Sequence, residues 1–125
     1  MTLRLRTHLL GLCGQLEALR VNLERYRDRY SAKLSSINPS KDPGAERLRT
    51  IISSILENID GVARAVDNIS NLVCSDEPSI ASIVKAYHIA DKTYYRLIIG
   101  RDAPIPASVR SAFYEIYRTL KLMAV

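Results

Sequence analysis

Apolar residues recur every three or four positions through two long stretches of the chain. The first series is Leu9, Leu12, Leu16, Leu19, Leu23, Tyr26 and Tyr30, and the second is Leu48, Ile52, Ile55, Ile59, Val62, Val66, Ile69 and Val73. Steps averaging about 3.5 place each series along one seam of an α-helix and suit knobs-into-holes packing against a second helix. Between the two lies Asn38-Pro-Ser-Lys-Asp-Pro-Gly44, whose prolines and glycine forbid a continuous helix. The pattern predicts a long antiparallel helical hairpin over residues 4–75.

Helix one is expected over 4–36, with Gly11 and Gly14 as mild internal weaknesses. Helix two should run from after Gly44 to about Cys74, with Gly61 allowing a neighbour to approach closely. Ser75-Asp-Glu-Pro78 ends it, and Ser79 is placed to cap helix three. Helix three carries Ile80, Ile83, Val84, Tyr87, Tyr94, Leu97 and Ile98 on one side and stops at Gly100. After the stiff loop Arg101-Asp-Ala-Pro-Ile-Pro106, Ser108 is the expected cap of a last helix whose core side is Val109, Phe113, Ile116, Leu120 and Met123. There is no strand alternation, repeat or low-complexity tract. The expected fold class is all-α: one domain over 1–125, a four-helix bundle built on the hairpin with two shorter C-terminal helices over 79–123.

Helix one would span about 45 Å, and helices three and four only about 25–30 Å. The hairpin tip, with Tyr30, Leu34, Ile37, Leu48 and Ile51, is then left partly uncovered and suits self-association or docking of a partner protein. The alternative is that helix one bends and the tip folds back.

Composition refines this picture only a little. Apolar residues make up 47% of the 125, enough for a full core. The net charge of +5 mildly favours an acidic partner. Its distribution says more: residues 1–37 hold seven Lys/Arg against three acids, 38–78 four against seven, and 79–125 seven against three. Either the acidic second helix is complemented by its neighbours inside the bundle, or the basic faces of the first and last helices point outward at a polyanion. No run reaches the roughly 18 apolar residues of a membrane span. The N-terminal apolar stretch is too short for a signal peptide, so a cytoplasmic location is expected. Cys13 and Cys74 fall near each other at the open end of the hairpin. Two cysteines are too few for a disulfide framework or a zinc site; buried free thiols are the expected state, and a bond between the two would suit an oxidising compartment or the cytosol of a hyperthermophile.

Catalysis is not expected. Phosphate loops, dinucleotide fingerprints, zinc motifs and nucleophile elbows are all missing from the sequence, and no metal or cofactor is implied. His88 and Asp91 stand one turn apart and could share a metal or a proton, but two ligands do not make a site. Glu57, Asp60 and Asp67 on helix two read as a solvated face. The strongest binding signal is in the last third. On helix three Lys85, His88, Lys92 and Arg96 recur at three- and four-residue steps beside Tyr95. On helix four Arg110, Tyr114, Arg118 and Lys121 do the same, with Tyr117 alongside. Cations can hold phosphates while tyrosine rings stack on unpaired bases of RNA or single-stranded DNA. The same tyrosines equally suit the apolar–polar boundary of an amphipathic helix, ring buried and hydroxyl wet.

The stretch from Ile89-Ala-Asp-Lys-Thr-Tyr-Tyr-Arg96 to Pro106-Ala-Ser-Val-Arg-Ser-Ala-Phe-Tyr-Glu-Ile-Tyr117 resembles a segment of the small helical subunits of CRISPR effector complexes. There a helix is followed by a capped, arginine-bearing turn, here Ser108 and Arg110, and an aromatic-rich helix, here with Phe113 and Tyr114. The resemblance covers about 35 residues and implies a non-catalytic subunit that lines a ribonucleoprotein filament and touches backbone. Helices one and two also resemble the hairpin of ESCRT-III-like membrane-remodelling proteins, including archaeal cell-division versions. That likeness implies Arg4 and Arg6, amid Leu3, Leu5, Leu9 and Leu10, lying on anionic lipid. A plain protein-binding adaptor needs only the seams.

Overall fold

The computed structural model describes residues 3–37, 43–75, 77–99 and 105–124, with side chains from Leu5 onward. Four helices form: α1 (Leu3–Ser36), α2 (Pro43–Val73), α3 (Ile80–Thr93) and α4 (Ala107–Ala124). A π-helical run, Tyr94–Ile99, continues α3. Among the described residues there is no strand. Each helix packs on the next, and α4 returns to α1 to close the ring. The all-α bundle on a long hairpin is therefore the fold.

The two heptad series supply most of the core. Leu12, Leu16, Leu19 and Leu23 of α1 are buried against Ile59, Val62, Val66, Ile69 and Val73 of α2. Phe113, Ile116 and Leu120 of α4 and Ile83, Ala86 and Ala90 of α3 close the other side. Burial of such side chains contributes about 1.5–3 kcal/mol each. Gly61 allows the expected close approach, since a Cβ there would stand 2.7 Å from Leu97 Cδ1. Pro43 opens α2 at the position where a missing N–H costs nothing.

Two contacts set the register of the hairpin. Cys13 and Cys74 are joined in a disulfide with Cα atoms 5.8 Å apart, and Arg27 Nε lies 3.6 Å from Asp60 Oδ1. The expectation of free thiols is thus corrected: the register that stacks the leucine and isoleucine seams also brings the two Cβ atoms within bonding reach. Carried onward from Arg27 and Asp60, this register sets Ile51 opposite Ser36, where α1 ends, and Leu48 beyond it. Leu48 and Ile51 are accordingly each 48% exposed, although the heptad pattern assigns Leu48 to the buried seam. α1 runs unbroken, so the tip is not folded back.

Local details depart from the sequence pattern in three places. Ser79 caps α3 as expected, its side chain accepting from the Ser82 N–H. Ser108 does not cap α4. The Pro106 carbonyl does, accepting from the N–H groups of Val109 and Arg110, and Ser108 Oγ instead meets Asn22 Nδ2 at 3.3 Å and the Tyr26 hydroxyl at 2.9 Å. Ile80, expected in the core, is 79% exposed because α3 has only begun to turn inward there. Buried positions of α3 then step from Ile83 to Ala86, Ala90 and Thr93, but the next is Ile98. That step of five is the extra residue of the π-turn, which rotates Leu97 out of the centre and towards Gly61. Most of the loop expected over 101–106, and most of the turn at 38–44, lie outside the described residues.

Candidate nucleic-acid interface

Among the described residues, two cations of the hairpin, Arg20 and Arg27, have carboxylate partners. Arg20 bonds Glu17 at 2.6 and 3.0 Å and Glu24 at 3.2 Å, with Asp67 close enough to add its field. The Arg20 hydrogen bond holds the Glu17 carboxyl below its usual range. Arg27 reaches Asp60 across the groove. One carboxylate of the acidic α2 strip, Asp60, thus meets a cation of α1 at the surface of the hairpin, Asp67 adds only its field at Arg20, and Glu57 stays exposed.

No such matching occurs on α3 and α4. Lys85, Lys92 and Arg96 on one and Arg110, Arg118 and Lys121 on the other are all exposed. None of the six forms an ion pair among the described residues. The carboxylates described on these two helices are Asp91 and Glu115. Asp91 is engaged by Tyr117, whose hydroxyl donates to Oδ1 at 2.6 Å. Asp91 thus marks the flank of α3 that faces α4. At 3.6 residues per turn, Lys85 and Lys92 lie about 100° or more further round. The cations accordingly form two rows rather than one pocket, with Tyr114 inside the α4 row and a group of tyrosines packed where the two helices meet.

That group is built from cross-helix contacts. Tyr117 stacks on Tyr87 and Tyr94 with ring centroids 5.9 and 5.0 Å apart. Tyr94 also meets Tyr95 edge-on at 5.6 Å and Tyr114 at 5.7 Å. Tyr95 and Tyr114 are open to solvent, at 58% and 44%. Tyr117 is not. At 7% exposed, with two rings stacked on it, it offers no face to a base, and its expected place among the binding residues is corrected to a structural one. Spacing alone cannot separate Tyr114 from Tyr117, because both border the apolar side of α4. The partner ring from α3 decides between them. Asp91, read earlier as half of a metal or proton pair with His88, is instead the acceptor for Tyr117, and His88 packs beside the Tyr87 ring at 5.5 Å. Among the described residues no three His, Cys, Asp or Glu side chains gather to hold a metal.

The Asp91 hydrogen bond, followed by burial, raises the Tyr117 hydroxyl well above the usual phenol range. A raised value means that the folded protein keeps a proton the unfolded chain releases above about pH 10. The contribution is complete below that pH and is lost as pH rises through it and beyond. Tyr117→Phe is expected to lower stability by about 1 kcal/mol near neutrality and to flatten the fall at alkaline pH, as read by urea denaturation at several pH values. Equal alkaline slopes in the two proteins would refute this role.

The residues of the lipid-facing alternative separate as well. Arg6 and Leu10 are exposed, Leu10 at 77%, whereas Leu9 is in the core and Leu5 is half-buried against it. The side chains of Leu3 and Arg4 lie outside the described residues. Among the described residues no helix is long and apolar enough to cross a membrane. No family model matches the chain, and neither a curated protein nor a solved structure is significantly similar to it.

Proposed function

We propose that the protein is a non-catalytic helical subunit whose α3–α4 face binds the backbone of RNA or single-stranded DNA. The observation that carries this reading is the gathering of cations and exposed rings on one pair of helices. Six cations of α3, its π-helical continuation and α4 stand exposed and without an ion pair among the described residues, beside the exposed rings of Tyr95 and Tyr114. Two exposed rings, Tyr95 beside the α3 cations and Tyr114 among those of α4, can stack on unpaired bases. Cations alongside exposed rings suit a strand that lays its phosphates on the former, and such contacts position without reading sequence.

In gel-shift assays, affinity for single strands of mixed sequence is expected to fall steeply with salt as counterions are released. Arg110→Glu with Arg118→Glu should weaken binding to every sequence and lower the salt slope. Tyr95→Ala or Tyr114→Ala should each cost about 1–3 kcal/mol if a base stacks there. Among the described residues the membrane-surface alternative has one exposed leucine beside an exposed arginine, Leu10 and Arg6, with Leu9 withdrawn into the core. It predicts co-sedimentation with anionic liposomes that Arg6→Glu abolishes and the α4 substitutions leave unchanged. Failure to bind either strands or liposomes at low salt would remove both readings and leave a protein-binding adaptor.

A further inference from the structure

The hairpin tip holds a second surface, separate from the α3–α4 face. The layer formed by α3 and α4 reaches α1 at Asn22 and Tyr26, through Ser108, and α2 at Gly61, through Leu97. Beyond those levels α1 and α2 continue, and α2 outruns α1. Tyr30, Leu34 and Ile37 are half-buried there, and Leu48 and Ile51 are each 48% exposed. Together they make an apolar ledge on the hairpin beyond those contacts.

Its rims carry three cations against one carboxylate. Lys33 lies one turn from both Tyr30 and Ile37, and Arg29 one turn before Lys33, so these two cations edge the ledge along α1. Arg47 lies one turn from Ile51 and edges it along α2. None of the three forms an ion pair among the described residues; Arg29 has only the Tyr26 ring, at 5.5 Å. One carboxylate, Glu46, shares with Arg47 the shallow depression beside Ile51.

We infer that this ledge is the docking site for an amphipathic helix of another protein, whose apolar stripe covers Leu34, Leu48 and Ile51 and whose acidic flanks meet Lys33 and Arg47. An apolar floor between two antiparallel helices receives a third helix through side chains spaced at i, i+3, i+4 and i+7. A second copy of this chain is the poorer occupant. Two-fold packing would bring Lys33 and Arg47 of one copy against the same cations of the other, and like charges across an interface cost affinity.

A fluorescent helical peptide with leucines at those spacings and glutamates on both flanks, and its twin with lysines in place of the glutamates, test the inference. Anisotropy titrations of the full chain are expected to favour the glutamate peptide by at least about tenfold. Lys33→Glu with Arg47→Glu, both exposed positions, should reverse that preference. Leu48→Asp with Ile51→Asp should abolish binding of the peptide while far-UV circular dichroism stays helical. The inference fails if the two peptides bind alike or not at all, or if the charge reversal leaves the preference intact. It also fails if sedimentation shows a dimer that Leu48→Asp with Ile51→Asp dissolves. Binding of strands to the α3–α4 face is read with Arg110 and Arg118, so either reading can fall without the other.

Discussion

Ile59→Pro is expected to remove most of the protein's stability. Ile59 is fully buried near the middle of α2. Proline there removes a backbone donor and drives its ring into the preceding turn, a cost of about 3 kcal/mol or more. Loss of the isoleucine packing adds about 2 kcal/mol. A total near 5 kcal/mol is comparable to the whole stability of a small domain, about 5–15 kcal/mol. The variant should show reduced helix by far-UV circular dichroism and little or no cooperative urea transition. A variant that unfolds at the same urea concentration as the parent would show that the hairpin is not the stabilising unit.

Removing the disulfide is expected to have the next largest effect. Cys13 and Cys74 are 61 residues apart in sequence, so the bond closes a long loop in the unfolded chain. By the chain-entropy estimate such a crosslink contributes about 4 kcal/mol. Reduction of the parent, or Cys13→Ser with Cys74→Ser, should shift the denaturation midpoint down by a matching amount, and reductant should then leave the double variant unchanged. The native helices should survive, because the seams beside the bond, Leu12, Leu16, Ile69 and Val73, do not depend on it. Identical midpoints with and without reductant would mean that the bond does not form.

The helices were legible because their information is local. An apolar residue every three or four positions specifies a helix and its buried side whatever the rest of the chain does. Pro43 and Ser79 mark helix starts, the first through its fixed φ and missing N–H and the second through a side-chain hydrogen bond, both acting within a few residues. Hence α1, α2 and α4 fall within a residue or two of their expected bounds, and Val109, Phe113, Ile116 and Leu120 are buried as their spacing requires. The exposed cations of the candidate interface were legible for the same reason, since charged residues opposite an apolar stripe face solvent.

What the tertiary structure decided was every feature that needs two elements at once. Heptad spacing is indifferent to sliding one helix past another by a turn. Only the packed register makes Cys13 a partner for Cys74 and carries α2 past the end of α1 so that Leu48 leaves the seam. The π-turn over Tyr94–Ile99 shifts the buried positions by one residue, a change that the apolar spacing of helix three does not announce. Tyr114 and Tyr117 occupy the same border of one helix and part company only because Tyr87, Tyr94 and Asp91 of a neighbouring helix enclose the second. Residue patterns determine which side of a helix is apolar; what that side, or its border, meets is set by the relative placement of helices, which contacts far apart in the chain control.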